Sequence, residues 1–137
     1  MRRKAVFRAD AFTAVKTAGL ALPGVEAVTR YDGAPVLKVG GAFMAGLATH
    51  PSAEPDTLVV RISLEERPFL LDEAPETYYI TDDYQRFPVV LVRLSRVDDS
   101  ALRDLLHMSW RLTLPKARRV PSSPDRRRPP SRPRRAR

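Results

Sequence analysis

Two glycine-centred turn signals, Asp32-Gly33 and Gly40-Gly41, punctuate three apolar runs, VEAVTRY (25–31), PVLKV (35–39) and AFMAGLA (42–48); a fourth, TLVVRIS (57–63), follows a loop. This punctuation constrains the fold more than any other feature. The runs have ordinary strand length, and glycine accepts the positive φ that tight hairpins require. Strands joined this closely can only pair antiparallel, because a parallel pair needs a crossover of a dozen or more residues. The connecting stretch THPSAEPD (49–56) is rich in proline and polar residues and reads as a loop. An antiparallel meander is therefore expected from residue 25 to residue 63.

Helix signals flank the meander. Asp10 caps a short helix in which Phe12, Val15 and Ala18 follow a helical stripe, with Gly19 placed to end it. Ser63 and Glu66 form a capping-box pattern for a helix over roughly 64–73, whose apolar members are Leu64, Phe69, Leu70 and Leu71. Pro68 falls just past the first turn of that helix and removes a bond to the carbonyl of Leu64, which predicts a short or kinked element. ETYYIT (76–81) and PVVLVRL (88–94) are β-branched and aromatic, and read as strands. Asp98 or Asp99 caps a closing helix with Leu102, Leu105, Leu106, Ser109 and Leu112 on one face and Pro115 marking its end. The fold class that accommodates this order is α+β, one antiparallel sheet covered by N- and C-terminal helices.

This order of pieces resembles the MmcQ/YjbR family of small bacterial proteins. The resemblance spans about residues 10–117 and is carried by Leu22-Pro23-Gly24, the Lys-Val-Gly-Gly-x-Phe hairpin at 38–43, Val-Leu-Val-Arg-Leu at 90–94, and the closing helix with Trp110 and Lys116. It implies a frataxin-like (CyaY-like) α+β fold and a DNA-binding role without known catalysis, and it supplies no catalytic residue. The chain departs from the family at Pro68, where a helix former is usual, and in a long Arg/Pro-rich C-terminal segment. Iron binding of the frataxin kind is not supported, because the first helix carries Asp10 alone and no acidic ridge.

Charge separates the chain into two parts. The formal net charge is +8, but residues 116–137 hold ten Lys and Arg against the single acid Asp125, leaving fourteen basic and fifteen acidic groups in the rest. A basic composition points to phosphate contacts, and here that signal belongs to the C-terminal segment. Five prolines after residue 120, with Val120 and Ala136 as the only apolar side chains there, predict that 118–137 forms a disordered tail beyond a domain of residues 1–117. With no cysteine the chain has no disulfide, thiolate metal site or cysteine nucleophile. The N-terminus lacks the apolar core of a secretory signal, so a cytoplasmic protein is expected. Neither a cofactor nor a membrane is implied, and a monomer or weak dimer is expected.

Strand alternation nominates a surface. If Leu37, Val39, Leu58, Val60, Ile62, Val90, Val92 and Leu94 face the helices, then Lys38, Arg61 and Arg93 point to the opposite face, with Arg30 able to join them and Glu26 beside them. One cation per strand suits phosphate contacts, although half-exposed antiparallel sheets ordinarily carry Lys and Arg on a solvated face, which is the favoured reading. On the closing helix Arg103, His107 and Trp110 flank the core stripe, where an indole either stacks on a base or partner, or packs on the sheet with its N–H bonded to a carbonyl. The candidate nucleic-acid residues are thus Lys38, Arg61, Arg93, Arg103, Trp110, Lys116, Arg118, Arg119, Arg126, Arg127 and Arg128. Tyr78, Tyr79, Tyr84 and Phe87 around Asp82-Asp83 form a second aromatic surface, with at least one tyrosine expected to be exposed. His50 and His107 have no motif partners at ligand spacing, and Ser63, Ser95 and Ser109 sit in no nucleophile context, so no enzyme activity is expected. The favoured function is a non-catalytic DNA-binding protein, and the alternative is a protein-interaction or small-ligand module.

Overall fold

The computed structural model describes residues 9–119, with side chains described for 12–115. Its elements are α1 (Ala9–Leu20), β1 (Val25–Thr29), β2 (Pro35–Val39), β3 (Ala42–Leu47), β4 (Thr57–Arg61), α2 (Arg67–Glu73), β5 (Tyr78–Tyr79), α3 (Asp82–Gln85), β6 (Val89–Arg93) and α4 (Asp99–Arg119). The strands form one six-stranded sheet in the order β1-β2-β3-β4-β6-β5, and every neighbouring pair is antiparallel. Gly40 and Gly41 both have positive φ, as a two-residue hairpin between β2 and β3 demands. The expected meander is present, and β6 completes it by inserting between β4 and the short edge strand β5.

Both faces of the central strands are covered. α1 and α4 lie on one face, where Phe12, Val15, Leu102, Leu105 and Leu106 meet Leu37, Leu58, Val60, Ile62, Val90 and Val92. Gly19 does not end α1. It lies inside the helix against Leu37, whose terminal methyl occupies the space a Cβ would need, so its role is close helix-to-sheet approach. The polar groups of α4 that enter this core are satisfied: Ser109 Oγ donates to the Met44 carbonyl at 3.0 Å and Thr113 Oγ1 donates to the Ser109 carbonyl at 2.7 Å. On the second face Ala48, Val59, Val89 and Leu91 are covered by Phe43, Ala53, Tyr79, Ile80 and Tyr84.

Several boundaries differ from the sequence expectation. α2 begins at Arg67 and not at 64, because Ser63 through Glu66 form a separate turn in which Ser63 Oγ accepts the Glu66 N–H at 3.1 Å. Pro68 then falls in the first turn of the helix, where no N–H is required, and of the two expected outcomes α2 takes the short one, at seven residues. The strand expected over 76–81 shrinks to Tyr78–Tyr79, since α3 starts at Asp82. Asp98 is the cap of α4, its Oδ1 accepting the Ala101 N–H at 2.7 Å. α4 passes through Pro115 and continues to Arg119, two residues beyond the expected domain edge at 117. Arg111 and Pro115 are exposed, so water can take the carbonyl that the proline leaves without a partner. Arg126, Arg127 and Arg128, and the disorder expected for most of 118–137, lie outside the described residues.

Leu106 is fully buried where α4 meets the sheet. Leu106→Ala is expected to destabilise the chain by about 2–5 kcal/mol through lost burial and the cavity left behind; chemical denaturation followed by circular dichroism measures this.

Candidate functional site

The second sheet face carries a concavity. Above β3, β4 and the start of β6 an open cleft of about 440 Å³ is floored by Gly46, Ala48, Val59 and Val89, and walled by Phe43, Phe87, Pro88 and Tyr84. Arg30, Arg61, His50 and Asp83 supply its charged and polar groups. The cleft exists because the cover of this face is made of loops and the four-residue α3 rather than a long helix. Gly46 contributes by having no side chain: a Cβ there would lie 3.3 Å from Phe43 Cε1 and 3.1 Å from Val36 Cγ2, so the Phe43 ring rests beside bare backbone.

The three nominated sheet cations share this face, but they do different work. Arg93 is committed to the fold. Its Nε and Nη2 donate to Glu54 Oε1 and Oε2, each at 2.8 Å, and its Nη1 donates to the carbonyls of Pro75 and Glu76, each at 3.2 Å. The guanidinium also lies 4.3 Å from the Tyr79 ring centroid. The hydrogen bond from Arg93 holds the Glu54 carboxyl below its ordinary range, and the same bond raises Arg93. Lys38 sits opposite Glu26 on one side and Phe43 on the other, so a carboxylate neighbours it across the β1–β2 ladder. Arg61 is half-buried, its Nε donating to the Phe43 carbonyl at 2.9 Å; among the described residues no carboxylate lies within ion-pair distance of it.

A fourth cation, Arg67, carries no mark in the sequence, because the carbonyls it meets are distant in the chain. Its Nη1 donates to the carbonyls of Phe87 and Val89 at 2.9 and 3.1 Å, and its Nη2 to that of Gln85 at 2.9 Å. It thereby fixes the 85–89 segment that forms one wall of the cleft.

Tyr78 and Tyr79 are both covered, contrary to the expected exposure. Tyr78 is buried beneath the helices, and Tyr79 on the other face accepts the Glu54 N–H at 2.8 Å and shares a 2.6 Å hydrogen bond with Thr57 Oγ1. The exposed tyrosine is Tyr31, 98% accessible in the β1–β2 turn. Burial pushes the Tyr84 hydroxyl up from its ordinary value.

His50 gains neighbours that its sequence position does not reveal. The Ser52 N–H donates to its Nδ1 at 3.0 Å, Ser52 Oγ lies 2.9 Å from the same nitrogen, and Asp83 Oδ1 lies 3.7 Å from Nε2. The arrangement superficially matches a serine–histidine–aspartate relay. The Ser52 hydroxyl does not line the cleft, however, and it also bonds Thr81 Oγ1 at 3.0 Å. The Nδ1 lone pair already accepts a backbone N–H, so the trio joins the 49–56 loop to α3.

On α4, Trp110 Nε1 donates to the Pro23 carbonyl at 2.9 Å, and the indole packs at the margin of the core with His107 5.4 Å away. The indole N–H is thus bonded to a carbonyl, as the packing alternative expects. Arg103 is exposed beside α1 and lies apart from the sheet-face cations, bordering a shallow groove with Ala14 and Thr17. The side chains of Lys116, Arg118 and Arg119 lie outside those described. Among the described residues there is no cluster of His, Cys, Asp and Glu able to hold a metal, and no helix long and apolar enough to cross a membrane.

A single antiparallel sheet with two helices on one face and a loop-covered cleft on the other defines a small α+β module. A family model described as YjbR matches residues 20–112, and the chain belongs to the YjbR family. Its fold is similar to the crystal structure of Deinococcus radiodurans protein DR2400, which carries the DUF419 domain: the TM-score is 0.59 at 22% identity, over 74% of this chain and 77% of that one. Among curated proteins none matches significantly.

Glu54 and Arg93 generate a pH-dependent increment of stability. Because the folded-state carboxyl lies below its unfolded value, the increment is present above the ordinary glutamate range and is lost as pH falls through that range and below. The pair is largely solvent-exposed, so screening limits the increment to about 0.5–1 kcal/mol. Glu54→Gln is expected to remove this amount at neutral pH and to flatten the stability profile below about pH 5, as read by urea titration at a series of pH values.

Proposed function

We propose that this YjbR protein is a non-catalytic DNA-associated protein in which the end of α4 and the segment after it contact phosphates, while the domain provides a rigid base. The observation that carries this reading is the division of charge. Ten of the 24 Lys and Arg residues lie in 116–137, and the rest of the chain is close to neutral. α4 continues that division at the level of one element: Asp98, Asp99 and Asp104 sit toward its start with Arg103 among them, Arg111 follows, and its last four residues are Lys116-Ala117-Arg118-Arg119. This polarity complements the helix dipole and presents the basic end to an anion. The sheet face is a poorer phosphate surface, because Arg93 is neutralised by Glu54 and Lys38 is flanked by Glu26. DNA access also agrees with the cytoplasmic setting expected of a cysteine-free chain.

The test is duplex-DNA binding by fluorescence anisotropy across a salt series. Replacing Arg126, Arg127 and Arg128 together with glutamine is expected to weaken binding on unrelated sequences alike and to reduce the slope of log K against log salt by about 2–3, near 0.9 for each phosphate left without its cation. Arg93→Gln is expected to leave that slope unchanged. Absence of binding by the unaltered chain at low salt, or identical slopes for the triple variant, sinks the reading.

A further inference from the structure

Two arginines on one sheet face are treated differently by the fold. Arg93 receives a bidentate carboxylate and two carbonyls. Arg61, on the neighbouring strand and lining the cleft, receives one carbonyl through Nε, and among the described residues its Nη1 and Nη2 have no partner. Burying part of a guanidinium without a counter-ion is unfavourable, and the loss is recovered when an anion takes the free fork. Partial burial accordingly lowers the Arg61 pKa from its ordinary value, with no carboxylate opposing the shift.

From the cleft that Arg61 lines, we infer a binding site for a small organic monoanion with a flat apolar body, of the aromatic carboxylate class. The anion meets the Nη groups of Arg61. The body lies over Gly46 and Val59, between Phe43 and the Tyr84–Phe87 wall. A cleft of about 440 Å³ falls within the usual size of small-molecule sites, which pair an apolar lining with a few polar groups that orient the ligand. Arg30 adds a second positive charge at the cleft, although it also faces Asp32 at 3.5 Å. Asp83 is the one carboxylate lining the cleft; it faces His50 Nε2 at 3.7 Å and lies beyond ion-pair distance of Arg61. A cationic or strongly dianionic ligand fits this distribution less well than a monoanion. The basic segments 1–8 and 116–137 have the wrong charge to complement Arg61 and Arg30.

The probe is 2-naphthoate, with 2-naphthylmethanol as its neutral counterpart and inorganic phosphate as charge without an apolar body. All three are titrated into the full-length chain and followed by two-dimensional amide NMR. Naphthoate is expected to shift amides of Phe43, Gly46, Val59 and Arg61 with saturation, while naphthylmethanol and phosphate bind at least about tenfold more weakly, the value of a charge-assisted hydrogen bond. Arg61→Met is expected to weaken naphthoate about tenfold and to leave naphthylmethanol within about twofold. If Arg61→Met does not fold, the exposed Arg30→Gln serves as the second variant, with a weakening of naphthoate alone expected. No saturable shift at the cleft, shifts confined to other surfaces, or equal binding of naphthoate and naphthylmethanol overturns the inference.

Discussion

The central strands are apolar on both sides, and the rest of the structure follows from the need to cover two faces with one short chain. In β4 and β6 four consecutive residues are buried, so neither strand has a side that tolerates water. Two helices suffice for the first face, where α4 spans the sheet and α1 closes against it at Gly19. No comparable helix remains for the second face. There the chain uses Tyr79, Tyr84, the 49–56 loop and α3, and irregular segments of this kind need polar anchors to hold them.

Arginine supplies those anchors. A planar guanidinium with several donors can satisfy carbonyls that no backbone ladder reaches. Arg67 gathers the carbonyls of 85–89, and Arg93 ties Pro75, Glu76 and Glu54 together beneath Tyr79. Cations that look like a nucleic-acid strip in the linear sequence are thus partly consumed in keeping the loop cover closed. The cover remains incomplete above Gly46 and Val59, and the cleft is that incompleteness.

Two regions of different chemistry result. Residues 116–137 carry the net positive charge of the chain, and attraction to a polyanion depends on charge density more than on shape. The second sheet face holds a concave apolar cleft with an uncompensated arginine, where shape and desolvation dominate. The family relationship connects the chain to the YjbR fold through residues 20–112, which include the cleft but stop before the basic segment.

Much of the architecture was legible in the sequence because it depends on local rules. The Gly40-Gly41 hairpin, the strand runs, the Asp98 cap and the leucine stripe of α4 all follow from backbone permissiveness and periodicity over a few residues. Alternation also assigned Lys38, Arg61 and Arg93 to one face. Local rules failed where a distant neighbour decides: Gly19 serves Leu37 in place of ending α1, and Tyr78 and Tyr79 are both covered. The sequence by itself determined the α+β class, the face on which each strand cation lies and the separation of charge between body and C-terminal segment. Only the tertiary structure decided which arginine is spent and which is free, because Glu54, Phe43 and the 85–89 carbonyls reach their partners across 18 to 39 residues of chain.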